Sequence, residues 1–364
     1  MRVVEQRPPP AAQAGPRPQA EAPRLPAVSF EHLIRLSDET GLLEHGRGCI
    51  PRREHGYCVD DVARGLVVLS RQPDPPPPLV DLAGRYLAFV AHALDPDGNC
   101  HNRLAYDRRW EDTAGTGDWW GRALWGLGSV VAGTGPQWQR DEALDRFDLG
   151  GRARTPWPRA RAFAALGAAG VASALPGHPG ARALLVAALS LGRVGSDDRW
   201  PWPEPRLAYA NAAWAEALIA AGSALGDDQA VDDGLRLLTW LFEVQTAGSH
   251  LSLVPAAGWR TGEPRPGFDQ QPIEVAALAD ASARALAVTG DETWRLGLAR
   301  CVEWFLGAND STTPMYDPST GGGYDGLEPG GANRNQGAES TVAWLMTLQH
   351  GWAVAAESPA DPEP

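Results

Sequence analysis

The sequence predicts an all-α toroid, an (α/α)6 barrel built from about six helical hairpins. Three observations carry this expectation. Apolar residues recur at helical spacing in segment after segment, about twelve in all. The joints between segments alternate between very short and long. No repeat of fixed length runs through the chain, which argues against a regular solenoid and for hairpins stacked around a ring.

Taken in order, residues 1–26 are rich in Pro, Ala, Gln and Arg and show no apolar period, so they are expected to be a disordered tail; residues 357–364 read the same way. The barrel is expected over 27–356. A first amphipathic segment begins near Phe30 and ends over Ser37–Gly41. Asp60 and Asp61 open a second that runs to Ser70. The run Pro75–Pro78 breaks the chain, and a third helix follows over Leu79–Leu94. Further helices are expected at 118–132, 138–148, 157–174, 179–194, 207–225, 228–245, 271–289, 291–307 and 336–354. Trp294, Leu298, Cys301 and Phe305 fall at steps of four, three and four, and Leu207, Trp214, Leu218, Ala221 and Leu225 mark another single face. Gly226-Asp227 and Gly290-Asp291 suit a left-handed C-cap followed at once by the next helix start, the joint of an antiparallel pair. The stretches 95–117, 195–206, 246–270 and 308–335 are long and carry Gly, Trp, Asp and Asn. In a ring of hairpins all of them fall at one end, which makes a single composite site.

Charge and cysteine usage exclude several partners. The formal net charge is −13, so clustered Lys and Arg for nucleic acid or an anionic membrane surface are not expected. Cys49, Cys58, Cys100 and Cys301 show neither a CxxC pair nor zinc-finger spacing, and read as reduced structural thiols. No apolar run is long enough to span a bilayer, and the N-terminus lacks the order of a secretory signal, so a cytoplasmic location is expected. Neither a metal nor an organic cofactor is implied.

Five clusters hold the polar and aromatic residues. His55, Tyr57, Asp60, Asp61 and Arg64 stand at a helix start, where the dipole favours ionised carboxylates suited to a general base or to sugar hydroxyls; N-capping is the structural alternative. Asp118, Trp119 and Arg122 follow a Gly-rich approach. Trp200, Trp202, Glu204, Tyr209 and Asn211 form the third. A Glu among Trp and Pro is expected to be partly desolvated, as a general acid needs. Gln271-Pro272-Ile273-Glu274 opens another helix, where an acid is often only dipole compensation. Tyr324, Asp325, Asn335, Gln336 and Glu339 lie in the densest polar stretch. There are 15 Trp against 3 Met, and five of them, Trp119, Trp120, Trp200, Trp202 and Trp259, lie in loops or beside them. That placement suits flat platforms for sugar rings.

The ordered set His55-Gly56-Tyr57-Cys58-x-Asp60-Asp61-x-Ala63-Arg64, Gly121-Arg122-Ala123-Leu124-Trp125, Trp202-x-Glu204, Gln271-Pro272-Ile273-Glu274 and Asn335–Thr341 resembles a group of bacterial proteins found beside or fused to glycosyltransferases. That group is similar to the six-hairpin glycosidase superfamily. The resemblance covers about residues 30–355 and implies an (α/α)6 barrel, a saccharide ligand and a possible glycosyltransferase partner. In that group an acid is common after Glu204 and before Asn211. Here Pro205 and Ala210 stand there, which implies altered specificity or lost activity.

The reading that follows is a glycoside hydrolase, inverting, with Glu204 as acid and Asp61 as base, and with Asp60, Glu274 and Glu339 as rival carboxyls. His55, Tyr57, Arg64, Asp118, Trp119, Arg122, Trp202, Tyr209, Asn211, Gln271, Tyr324, Asp325, Asn335 and Gln336 are expected to bind substrate. A non-catalytic saccharide-binding accessory protein uses the same surface without acid–base work. A sugar epimerase or isomerase usually wants His, and few lie on helices here. A terpenoid cyclase lacks its Asp-rich diphosphate motif.

Overall fold

The computed structural model describes residues 25–192, 197 and 199–357; the rest of both predicted tails lies outside them. Twelve α-helices follow one another among the described residues: α1 Glu31–Arg35, α2 Val59–Ser70, α3 Pro77–Ala93, α4 Asp118–Ala132, α5 Gln137–Gly150, α6 Pro158–Ala174, α7 Pro179–Ala188, α8 Ala212–Leu225, α9 Asp228–Val244, α10 Pro272–Thr289, α11 Thr293–Phe305 and α12 Ala338–Glu357.

The even-numbered helices form the inner ring. Each packs on the next, and α12 closes back on α2. They are buried nearly all round, as helices enclosed by others must be. Five odd-numbered helices, α3 to α11, coat them, and the five-residue α1 lies against α12. This is the predicted toroid of six hairpins. The α4–α6 contact is the tightest. A Cβ on Gly128 would stand 2.1 Å from the Gly167 carbonyl oxygen, and one on Gly167 would stand 2.1 Å from that of Leu124. Only glycine permits that approach of two backbones.

The joints explain the polarity of the ring. Gly226 and Gly290 take left-handed C-caps at φ 72° and 68°, and the Asp227 side chain accepts from the Ala230 N–H at 3.1 Å. These short joints lead from inner to outer helices. The longer connections lead back inward, so they gather at the N-terminal ends of the inner helices, as the alternation implied. Small antiparallel strand pairs stiffen them, such as Tyr57–Cys58 with Arg103–Leu104.

Three boundaries differ from expectation. The helix expected from 207 begins at Ala212, because Leu207 is buried from a short strand paired with Trp259–Arg260, and Ala210 turns at φ 45°. The helix expected to 194 stops at Ala188 and continues as a 3-10 turn to Gly192. Leu25 and Pro26, assigned to the tail, lie against the end of α12: the Trp352 indole donates to the Pro26 carbonyl at 2.8 Å. No helix among the described residues is long and apolar enough to cross a membrane.

Candidate functional site

The first turns of the inner helices surround an open cavity of about 750 Å³. Asp60 on α2, Asp118 on α4, Arg159 on α6, Gln271 before α10 and Glu339 on α12 each line it, joined by Glu204 and Tyr209 from the loop before α8. A second compartment of about 330 Å³ opens beside it and shares Asp60, Asn102, Arg122, Gln271 and Glu339.

Four charged clusters build these walls. Arg122 stacks on the Phe163 ring, 4.6 Å from its centroid, and directs Nη1 to Asp60 at 3.0 Å. Among the described residues its Nε and Nη2 have no hydrogen-bond partner. Asp118, next along the wall, accepts from the Tyr209 hydroxyl. Burial raises the Asp118 pKa; Arg122 and Arg159 oppose that rise, and Asp60 and Glu204 add to it. Arg159 reaches Glu204 at 3.3 Å and the Asn211 side-chain oxygen at 3.1 Å. Asn211 in turn donates to Glu274 at 2.9 Å. On the far side Arg64 bridges Asp61 at 2.5 Å and Glu339 at 2.9 Å, tying α2 to α12 across the seam of the ring.

Two of these acids lie beneath the surface. Burial lifts Asp61 to about 7 against the pull of Arg64, and lifts Glu274 to about 7 against its bond from Asn211. The desolvation expected at Glu204 therefore falls on Asp61, Glu274 and Asp118. Glu204 itself is an ion pair about a third exposed. Glu274 supports the wall from below, and Asp61 lines only the smaller compartment.

The predicted binding residues divide. Asp118, Trp119, Arg122, Tyr209 and Gln271 line the larger cavity; Arg64 and Asp325 line the smaller. Asn211 is buried and positions Arg159. Tyr57 is buried with its hydroxyl on Asp38 at 2.7 Å and lines neither compartment. Trp202 is core, packed between Trp214 and Trp240. His55 stands exposed against His45, and it is His45 that reaches the smaller compartment. Asn335 accepts from the Gly48 N–H, and Gln336 bonds Asp317 and Thr320, so both hold loops together. Tyr324 is half-buried against the core and lines neither compartment. Of the five tryptophans taken as platforms, Trp119 alone lines the cavity. Trp120 is core, and Trp200 packs on Trp259.

Sequence reasoning missed Trp157, Arg159 and Asn102. Trp157-Pro158-Arg159 has the same signature as Gln271-Pro272, a Pro-opened helix start, and could have been found by it. Asn102 carried no local signal. The Asn102 carbonyl accepts from the Val59 N–H at 2.8 Å only because residues 103–104 pair with 57–58.

Neither a family model nor a curated protein matches the sequence. Solved structures do. A sugar epimerase from a ruminal bacterium aligns at TM-score 0.67 and 12% identity, over 91% of this chain and 96% of its own. A D-mannose isomerase aligns at 0.64 and 12%, over 90% and 94%. A cellulase of C. cellulolyticum aligns at 0.56 and 9%, over 87% and 88%. The fold is the (α/α)6 toroid. At such identities the likeness speaks for the toroid alone, and the chemistry must come from the side chains.

Proposed function

We propose that the protein hydrolyses a glycosidic bond of an oligo- or polysaccharide by carboxyl acid–base chemistry, with inversion. One observation carries this reading. The large cavity presents carboxyl groups from α2, α4, α12 and the loop before α8 beside the indoles of Trp119 and Trp157, and among the described residues no histidine lines it. Epimerisation and isomerisation favour an imidazole that takes and returns a proton. His45, in the smaller compartment, is the one imidazole lining either space among the described residues.

Asp118 is the donor in this reading. It is the cavity-wall carboxyl that burial drives toward its neutral form. Asp60, held by Arg122, is the acceptor. Water attacks the anomeric carbon, the bond to the leaving oxygen breaks, Asp118 gives that oxygen its proton, and Asp60 takes one from the water. Glu204, fixed by Arg159, and Glu339, fixed by Arg64, accept hydrogen bonds from sugar hydroxyls. A second reading has its own observation: Asp60, Glu204 and Glu339 are each tied to a guanidinium, which suits a saccharide-binding accessory protein of a glycosyltransferase system.

Incubation with a panel of gluco- and manno-oligosaccharides tests both, with products read by chromatography and anomers by proton NMR. New reducing ends of inverted configuration, absent with Asp118→Asn, support hydrolysis. Altered sugar identity without chain cleavage supports epimerisation. Binding without any product supports the accessory reading.

A further inference from the structure

The two compartments differ in shape and in chemistry. The larger is open to solvent and holds Trp119, Tyr209 and Trp157, the last with 60% of its surface exposed at the rim. Such rings stack on successive sugars without caring which one is terminal. The smaller has no aromatic face except His45. It is lined by Glu44, Arg103, Asp61 and Asp325. Groups of this kind recognise hydroxyls one by one.

The smaller compartment is also walled on the side of the ring's seam. The ring's seam lies between α12 and α2, where the outer partner α1 has only five residues. A strap over residues 42–58 covers the seam instead. The Ala338 N–H donates to the Glu44 carbonyl at 3.0 Å, the Gln336 N–H to that of Gly48 at 3.0 Å, and the Glu44 N–H to that of Gly56 at 3.1 Å. The fit leaves no slack: a Cβ on Gly46 would stand 2.8 Å from the Gln336 carbonyl oxygen. Arg103 pairs with Glu44 on the inner side of this strap. On that side a chain entering past Asp60 meets the strap at Glu44 and His45.

At the waist between the compartments sits Arg122, 4% exposed, with Nε and Nη2 unpartnered among the described residues. A buried guanidinium with unused donors is costly unless something accepts from them. An acceptor oxygen at the junction would satisfy it.

We propose that the smaller compartment is a dead-end pocket for the terminal unit of a saccharide chain, with the rest of the chain lying along the aromatic side of the larger cavity and Arg122 binding an oxygen at the junction. The protein then acts on chain ends and releases one or two units at a time. This rests on the saccharide reading above. Selectivity for the terminal sugar resides in Glu44, Arg103 and Asp325, because a site built to bond hydroxyls rejects a sugar that lacks them.

Cellohexaose, maltohexaose and mannohexaose serve as probes. Each is used free, capped at the non-reducing end as a 4,6-benzylidene acetal, and reduced to the alditol at the other end. Calorimetry reads affinity, and chromatography reads the first products. The terminal pocket predicts that one cap lowers affinity at least tenfold and the other less than twofold. It predicts mono- or disaccharide as the first product. Arg103→Ala weakens binding of the free chain, and Arg103→Lys restores part of it, while the form blocked at the end the pocket receives binds all three proteins within about twofold of one another. Equal binding of both capped forms, or first products spread over intermediate lengths, overturns the proposal. End-selective binding without cleavage upholds the pocket and rejects the hydrolase. A panel that neither binds nor reacts rejects both.

Discussion

The two ends of the inner ring use the same materials to opposite effect. At the mouth, Arg64 and Arg122 each meet a carboxylate in the first turn of a helix, Arg159 meets Glu204 in the loop before α8, and the clusters border open space. Toward the other end, Arg71 meets Asp280 at 2.7 Å, His350 Nε2 lies 2.6 Å from the same oxygen, and Arg284 faces Glu216 at 3.7 Å. There the joints are short, and Arg71, Asp280 and His350 bond one another, while Arg284 Nε has no partner among the described residues. The two ends are linked by an apolar axis with room for about 20 Å³, enough for roughly one water. Access therefore separates function from structure here. An ion pair beside a large cavity keeps donors and acceptors for a ligand. One whose carboxylate is buried between helices, as that of Asp280 is, spends them on the fold.

Breaking the mouth should cost activity and spare the fold. Asp118→Asn keeps size and shape but has no proton to give. Turnover of an oligosaccharide that the native protein cleaves should fall by roughly two to four orders of magnitude, with an unchanged unfolding midpoint. A fall in stability without that loss would move Asp118 to the structural class.

Breaking the other end should do the reverse. Asp280 is buried; burial alone would raise its pKa, but Arg71 and His350 more than offset this and hold it at about 2. Its contribution is present above the ordinary value of 3.8 and is lost as pH falls through about 2. Asp280→Asn should cost about 3–5 kcal/mol in denaturant unfolding at pH 7, while the folded fraction turns over or binds saccharide as before.

Glu274 sharpens the comparison, because it lies under the mouth yet behaves as a structural acid. Its folded pKa of about 7 lies above the ordinary 4.5, so the folded state holds the extra proton between those values. Stability should therefore fall as pH rises from about 4.5 to 7. Glu274→Gln keeps the bond from Asn211 and should remove that share, raising stability at pH 8 by roughly 2–3 kcal/mol. Melting curves against pH check this. The shares of Asp61 and Glu216, both also near 7, remain in the variant. A pH profile unchanged by the substitution would show that Glu274 is ionised throughout.

The smallest effect belongs to Trp157. The exposed indole buries little, so Trp157→Ala should leave stability within about 0.5 kcal/mol. Saccharide affinity should drop about 2–10-fold if the ring stacks on a sugar. Unchanged affinity would shorten the aromatic track to Trp119 and Tyr209.

Much of the fold was legible because helices announce themselves locally. Apolar spacing, Gly-Asp joints and Pro-opened starts are properties of neighbouring residues, and they placed most of the twelve helices to within a few positions. Alternating joint lengths carried the one long-range conclusion, that the long loops share an end. Side-chain direction was not legible. Asp60 and Asp61 are adjacent and chemically alike, yet one borders the cavity and the other is buried under Arg64, because successive residues on a helix point about 100° apart. Trp119 and Trp120 divide in the same way. Tyr57 and Trp202 looked like ligands and are core, since aromatic residues serve both purposes equally well. By itself the chain determined a ring of hairpins with an acidic, aromatic mouth. Only tertiary packing decided which carboxyl lost its water, which guanidinium kept free donors, and where a strap of residues 42–58 closed the seam, because each depends on atoms far apart in sequence meeting within a few ångströms.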